Sequence, residues 1–468
     1  MKVLLAASEV APIVKMGGLG DVIGSLPKSL ESLGIDADVI VPFYPTIKKV
    51  KFKLIKALEI EVPFDGESHT VEIFKTKLPK SNVDVLLPRS SKYFNIGGKS
   101  AFLNNASETE MYSFFCRVVV EYIKARFNTY DVIHCHDWHT GMVTHLLNEE
   151  LHAERPGTLF TIHNLLYQGK GDPELVKDLG LNPGVHPLID WDIQDGDISL
   201  LLQGVTTSDY VNTVSESYAE EIKTPEFGID LTDVLVSRKD RLVGILNGID
   251  YSVFPRDFNV DNWKTVKKGH KESLKDKLGL NIDGDKPIFG FISRLDPRQK
   301  GLDILHEAVP SIVHKGGQFV LLGTGSPTWE KKFEKLNSTE GLKGDVSCNI
   351  MFDVDLAREI YAASDFFLIP SKYEPCGLTQ MISMWYGSLP IVRGVGGLKD
   401  TVKHGHNGFV FEKYTSKQLV EAIFEALKVW ESGDYEQMVK FAMKEDFGWE
   451  VSAKKYKDLY NKIIELSI

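Results

Sequence analysis

The segment SRLDPRQKG places Arg294 and Lys300 six residues apart, directly after an apolar run. A guanidinium can fork onto two oxygens and an ammonium acts as a point charge, so the pair suits a diphosphate; a solvated basic loop is the plainer alternative. PSKYEPCGLTQ follows another apolar run with one carboxylate, Glu374, and then Cys376, Gly377, Leu378 and Thr379 at a predicted helix start. Free N–H groups there would face a phosphate, while Glu374 would either accept from hydroxyls or cap the helix. KMGGLGD gathers Lys15, Gly17, Gly18 and Asp21 behind the first apolar run. Glycine costs about 0.5 to 1 kcal/mol relative to alanine in regular structure, so its clustering predicts unusual torsion angles or backbone pressed close to something. The spacing is not GxGxxG, and the loop reads either as an anion site or as a tight turn.

HCHDWHTG puts His134 and His136 on one face of a predicted strand, with Asp137 and His139 close behind. The set suits a metal or, at a strand terminus, hydrogen bonding to substrate. FTIHNLLYQG repeats the design by delivering His163 and Asn164 at the end of a strand, where both suit sugar hydroxyls. MFDVD offers Asp353 and Asp355 in an Asp-x-Asp spacing that can hold a divalent ion. Asp355 is read instead as the N-cap of a helix starting at Leu356.

These residues all follow short apolar runs rich in β-branched and aromatic residues, among them KVLLAAS, DVIHCH, GTLFTIH, PIFGFIS and DFFLIPS. Such runs alternate with segments of helical spacing, which predicts α/β architecture with parallel sheets covered on both faces. In those sheets ligands bind beyond the carboxyl ends of the strands. A polar, lysine-rich stretch within 243–286 interrupts the alternation, predicting two Rossmann-like domains: residues 1–243 and residues 244–448. The tail at 449–468 spaces Trp449, Val451, Tyr456, Leu459 and Ile463 as one stripe and is expected to pack back on the first domain as a helix.

A formal net charge of -11 disfavours non-specific binding to nucleic acid or anionic membranes. Cys116, Cys135, Cys348 and Cys376 are scattered without a CxxC pair, which fits a reducing cytoplasm. No apolar run approaches the roughly 20 residues of a membrane span.

In this order, KMGGLGD, HDWHTG, TIHNLLYQG, NTVSESYAEEI, LNGID, SRLDPRQKG, EPCGLTQ and GGLKDTV closely resemble glycosyltransferase family 5, the bacterial glycogen synthases and plant starch synthases. The resemblance runs over nearly the whole chain. It implies a GT-B fold, two Rossmann-like domains with parallel sheets facing a deep interdomain cleft. It implies glucosyl transfer from ADP-glucose, or UDP-glucose in some members, to the non-reducing 4-hydroxyl of an α-1,4-glucan. Anomeric configuration would be retained, with no cofactor and no metal.

Position by position, the resemblance matches Lys15, Gly17 and Gly18 to the loop touching donor phosphates and glucose, and Arg294 and Lys300 to the diphosphate pair. Glu374 matches an essential carboxylate holding the donor glucose, with Cys376 to Thr379 in the same motif. Asp137, His163 and Asn164 match residues lining the sugar site. Asn247 and Tyr93 match residues facing glucose or acceptor, and Asp21 joins the acceptor set. Phe352 stands where many members carry a tyrosine that stacks on adenine, and a phenyl ring still stacks. The chain departs from the pattern in the six-residue separation of Arg294 and Lys300, in Gln203 where lysine is usual, and in DYSVFPRD, which lacks the usual tryptophan and asparagine.

The mechanism implied is front-face attack, in which a leaving phosphate oxygen takes the acceptor's proton and no side chain is the nucleophile. Rival expectations are a UDP-glucose-preferring glucan synthase, a retaining glucosyltransferase making a disaccharide, and a catalytically idle glucan-binding relative.

Overall fold

The computed structural model describes residues 1–47, 52–94 and 106–466, and the chain divides into two units, Met1–Gly248 with Trp449–Ile468, and Ile249–Gly448. Among the described residues no helix is long and apolar enough to cross a membrane.

The first unit is built on a nine-stranded sheet. Its strands are β1 (Lys2–Ala6), β2 (Asp36–Ile40), β3 (Ile55–Phe64), β4 (Glu67–Lys77), β5 (Asp84–Arg89), β6 (Val132–His136) and β7 (Gly157–Ile162). A two-stranded antiparallel pair, β8 (Lys170–Gly171) and β9 (Ile198–Ser199), stands apart from it, and β10 (Tyr210–Thr213) and β11 (Leu242–Gly244) complete the large sheet. The strand order is β11-β10-β7-β6-β1-β2-β5-β4-β3. Every residue of β6 and β7 is buried, as continuous apolar runs require when helices cover both faces. β3 and β4 pair antiparallel at the edge and alternate between buried and exposed positions. That half-solvated pattern is why they do not stand out among the apolar runs.

The helix Trp449–Leu466 belongs to this unit and packs on the helix Gly18–Ser32 and on β6 and β7. Its buried stripe is Trp449, Tyr456, Leu459 and Ile463, while Val451 is exposed. Two of its hydroxyls reach into the sheet: Tyr460 to His134 Nδ1 at 2.8 Å, and Tyr456, which accepts from Asn212 Nδ2 at 3.1 Å.

The second unit holds six parallel strands, β12 (Ile288–Ile292), β13 (Gln318–Leu322), β14 (Val346–Asn349), β15 (Phe366–Ile369), β16 (Leu389–Arg393) and β17 (Phe409–Phe411). Their order is β14-β13-β12-β15-β16-β17, which is the doubly wound 3-2-1-4-5-6 arrangement. The lysine-rich stretch is largely a helix, Trp263–Leu278, that turns several of its lysines inward. Lys267 Nζ donates to the carbonyls of Ala362 and Tyr386 and to Ser388 Oγ, and Lys271 pairs with Asp365 at 2.9 Å. A lysine run normally read as a solvated face is therefore half core, its charges met by carbonyls and a carboxylate.

Candidate active site

In the second unit the sheet order reverses between β12 and β15, and the loops leaving those two strands are drawn side by side at this switch point. Lys300 Nζ lies 2.7 Å from Glu374 Oε2. Ser371 Oγ donates to the same oxygen at 2.9 Å, and Gln299 Nε2 donates to Oε1 at 3.4 Å. Glu374 is buried, and this cluster supplies the partners that a buried carboxylate needs. It does not cap the following helix. Gly301 carries a φ of +67°, and a Cβ there would sit 2.0 Å from the carbonyl oxygen of Pro370. Only glycine allows that approach, and Lys372 N–H clamps it by donating to Gln299 O at 2.7 Å.

Arg294 lies on the same loop, 3.4 Å from Asp296 Oδ2. Burial works to raise the pKa of Asp296, but the amide and guanidinium of Arg298 and the charge of Arg294 outweigh it and hold the carboxyl below its ordinary value. The six-residue spacing is thus accommodated by a turn around Asp296, which also accepts the Arg298 amide at 2.9 Å.

Cys376 and Gly377 follow Glu374, and Cys376 packs against Gly397 of the GGLKDTV segment. Gly397 N–H donates to the Glu374 carbonyl at 3.1 Å, and a Cβ on Gly397 would fall 2.1 Å from Cys376 O. The helix opens at Thr379, with Leu378 as its N-cap residue. Phe352 is 83% exposed, beside the helix Val354–Ala363. The expectation that Asp355 caps that helix is corrected: the cap is Asp353, whose Oδ1 accepts from the amides of Asp355 and Leu356 at 2.9 Å each. Either aspartate precedes the apolar face, and only backbone torsions decide which one turns the chain.

In the first unit the sheet reverses between β1 and β6, and the same rule places Lys15, Gly17 and Gly18 after β1 with Asp137 after β6. The glycine loop has an internal anion that its motif does not disclose. Glu9, 2% exposed, accepts the amides of Met16 and Gly17, the latter at 2.9 Å. Burial raises its pKa, the surrounding amides oppose that rise, and the charge of Asp21 adds to it. The Gly17 N–H expected to face a phosphate thus donates to Glu9. The sequence signal for Glu9 is no more than an acidic residue directly after an apolar strand.

The glycines Gly17, Gly18, Gly20 and Gly24 all avoid positive φ. Gly20 and Gly24 are needed for close approach, since a Cβ would fall 2.9 Å from Glu9 Oε2 and 2.5 Å from Ala11 O respectively. Among the described residues a Cβ on Gly18 would meet nothing within 4 Å. Lys15 pairs with Asp21 at 2.7 Å at the exposed edge of this loop.

Asp137 holds a φ of +58° and is buried, and its Oδ1 accepts the His163 amide at 2.7 Å and the Asn164 amide at 3.4 Å. Burial pushes its pKa up to about 7 against the pull of those two amides. Asn164 closes its own turn by accepting from Leu166 N–H at 3.1 Å.

His163 is linked to His136, with Nε2 3.0 Å from His136 Nδ1. Desolvation lowers the pKa of His163 to about 3, and those of His134 and His136 also fall, so all three rings are neutral near pH 7. His136 Nε2 is buried without a partner among the described residues. A buried orphan N–H is rarer than an unmet acceptor, so the preferred tautomer has His136 Nδ1–H donating to His163 Nε2. His163 then carries its proton on Nδ1 as a donor. The quartet His134, His136, Asp137 and His139 does not form a metal-ligating group among the described residues.

Asn247 is buried, and its Oδ1 has no partner among the described residues. Tyr93 is packed into an aromatic cluster, stacked on Phe114 at 4.0 Å between centroids and edge-on to Phe64. Its neighbours Lys92 and Phe94 line a cavity of about 560 Å³. The structure therefore brings together Lys300 and Glu374 in one cluster, with Arg294 paired to Asp296 on the loop that carries Lys300, and Asp137, His163 and Asn164 in another. Gln299 and Ser371 join the first cluster unannounced by the sequence, since neutral side chains within a loop give no periodic signal.

A family model described as starch synthase catalytic domain matches residues 2–237, and one described as glycosyl transferases group 1 matches residues 272–445. The chain is 40% identical over 489 residues to the glycogen synthase of Geotalea daltonii, covering 99% of both, and 37% identical over 488 residues to that of Thermotoga maritima, again covering 99% of both. Its structure matches the catalytic domain of starch synthase IV from Arabidopsis thaliana bound to ADP and acarbose, with a TM-score of 0.88, 31% identity and 99% coverage of each chain. Sucrose-phosphate synthase from Thermosynechococcus elongatus shares the fold at a TM-score of 0.64 and 18% identity. The two parallel α/β units are those of a GT-B glycosyltransferase. Within that class the chain belongs to the glycogen and starch synthase family, and it is a hexosyltransferase.

Proposed function

We propose that this enzyme moves glucose from ADP-glucose to the non-reducing 4-hydroxyl of an α-1,4-glucan with retention of configuration. The observation that carries the reading is the ion pair between half-buried Lys300 and buried Glu374, braced by Ser371 and Gln299, with Arg294 on the same loop as Lys300. The ADP carried by the Arabidopsis relative supports the choice of nucleotide.

In this reading Arg294 and Lys300 meet the diphosphate. Glu374 engages one of the three N–H donors of Lys300, leaving the others for phosphate oxygens. Glu374 accepts from hydroxyls of the donor glucose. His163, protonated on Nδ1, donates to a sugar oxygen, and Asp137 fixes the backbone that carries it. Phe352, with its ring exposed, stacks on the base. Gly18, where a Cβ would meet nothing within 4 Å among the described residues, admits the donor to the backbone, with Lys15 beside it.

The acceptor O4 attacks C1 on the face from which the diphosphate departs. The C1–O4 bond forms as the C1–O bond to phosphate breaks, and the acceptor's proton passes to a phosphate oxygen of the leaving ADP. The charge that builds on ADP is met by Arg294 and Lys300, a contribution of several kcal/mol to the barrier at about the scale of other preorganised sites. No metal takes part in this scheme. We place the reaction in the cytoplasm, in keeping with four buried free thiols.

Purified enzyme incubated with ADP-glucose or UDP-glucose and glycogen tests the reading. Polymer extension favouring ADP-glucose, with only new α-1,4 linkages by NMR, is expected. A preference for UDP-glucose would reassign the donor, and no extension with either would overturn the activity. Trapping of a covalent glucosyl-enzyme would overturn front-face attack.

A further inference from the structure

On the helix Gly141–Leu151, His145 and Glu149 are one turn apart and share a face. His186, at the N-cap of the short helix Pro187–Asp192, brings its ring edge-on to that of His145, with centroids 5.8 Å apart. One ring nitrogen of each histidine and a Glu149 carboxylate oxygen all lie within 4.8 Å of one another, and this is the group among the described residues with metal-ligating geometry. A tetrahedral zinc with bonds of about 2.0 to 2.1 Å sets its ligand atoms about 3.3 Å apart. His186 Nδ1 and Glu149 Oε2 already stand at 3.3 Å.

The orientation of His145 is fixed from behind. Gln203 Nε2 donates to Asp192 Oδ2 at 2.7 Å, which turns the amide oxygen of Gln203 toward His145 Nδ1 at 2.9 Å. An amide oxygen only accepts, so Nδ1 carries the proton and Nε2 keeps its lone pair. His145 is 4% exposed, and its Nε2 is buried with no hydrogen-bond partner among the described residues. An unmet lone pair beside a carboxylate and a second imidazole is complemented by a cation. The carboxylate–amide–histidine relay is of the kind that orients metal-bound histidines.

We propose that His145 Nε2, a Glu149 carboxylate oxygen and a ring nitrogen of His186 bind one divalent transition-metal ion of the zinc class, with a fourth position open to water. Two nitrogens and one oxygen select zinc over calcium or magnesium, which prefer oxygen ligands. The ion ties the helix Pro187–Asp192 to the helix Gly141–Leu151. Its role is bracing, since none of the three ligands belongs to the clusters assigned to the transfer reaction.

The test uses the full chain, stripped with a chelator and desalted, then titrated with Zn²⁺ against a competing chromophoric chelator, and with Co²⁺ read by its visible absorption. Glu149→Gln and His186→Asn are exposed or half-buried changes, and circular dichroism checks that both variants fold. One equivalent of Zn²⁺ is expected, with four-coordinate Co²⁺ bands and a rise of a few degrees in the unfolding midpoint on adding Zn²⁺. Each variant should weaken binding by more than about 100-fold, beyond the roughly 10 to 100-fold that disturbing an outer hydrogen bond costs. Failure to bind one equivalent, or binding untouched by both variants, overturns the site.

Discussion

Lys300 Nζ stands 2.7 Å from Glu374 Oε2, with the carboxylate buried and the Lys300 side chain only 20% exposed. Removing one member of such a pair leaves an uncompensated charge, which costs about 3 to 5 kcal/mol. Glu374→Ala and Lys300→Met are each expected to lower kcat by more than about 100-fold and to lower the unfolding midpoint. The double variant should destabilise by less than the sum of the two. Turnover of the Glu374→Ala enzyme within a few-fold of normal would remove Glu374 from the reaction.

Asp137 gives a pH dependence of defined sign. Its pKa rises from 3.8 to about 7 on folding, so between those values the folded chain holds a proton that the unfolded chain releases. The stability tied to that proton is present below about pH 4 and is lost as pH climbs to 7, by a span of about 4 kcal/mol. Asp137→Asn keeps an acceptor for the His163 and Asn164 amides, suits a φ of +58° and cannot ionise. Thermal unfolding from pH 5 to 8 should show the variant gaining on the wild type as pH rises; parallel curves would contradict the buried-carboxyl account.

His163 is neutral across the working range because its pKa is held near 3. Loss of its hydrogen bond to substrate in His163→Ala should cost roughly tenfold in kcat/KM. That ratio of wild type to variant should stay constant from pH 5.5 to 8.5. A ratio that changes around pH 6.5 would mean that the imidazolium takes part.

Two glycines separate structural need from ligand need. Gly301→Ala forces a Cβ against Pro370 O at a positive φ, so both stability and activity should fall. Gly18→Ala meets only open space, so stability should hold within about 0.5 kcal/mol. If the donor approaches Gly18, its KM should nonetheless rise; an unchanged KM would remove Gly18 from the donor site.

The strands carrying the chemistry are legible in the sequence because parallel β-strands covered on both faces must be continuous apolar runs. β12 and β15, and the residues directly after them, follow from that rule alone. The partners are less legible. That Lys300 meets Glu374 depends on β12 and β15 being neighbours, which no local pattern encodes. Glu9 is hidden because a single acid after a strand looks like any solvated residue, yet it organises the Met16 and Gly17 amides. Asp353 and Asp355 compete for one cap because two aspartates this close together fit the same consensus. The inward lysines of Trp263–Leu278 are hidden by their own charge, since Lys267 is satisfied by carbonyls far along the chain.

The terminal helix bears on synthesis as well as on packing. Tyr456 and Tyr460 bond to Asn212 and His134, so the core of the first unit contains side chains translated only after the whole of Ile249–Gly448. A nascent chain paused at that point would have its earliest-made sheet with one flank of β6 and β7 still uncovered. The unit that leaves the ribosome first cannot close its core until the second has been translated.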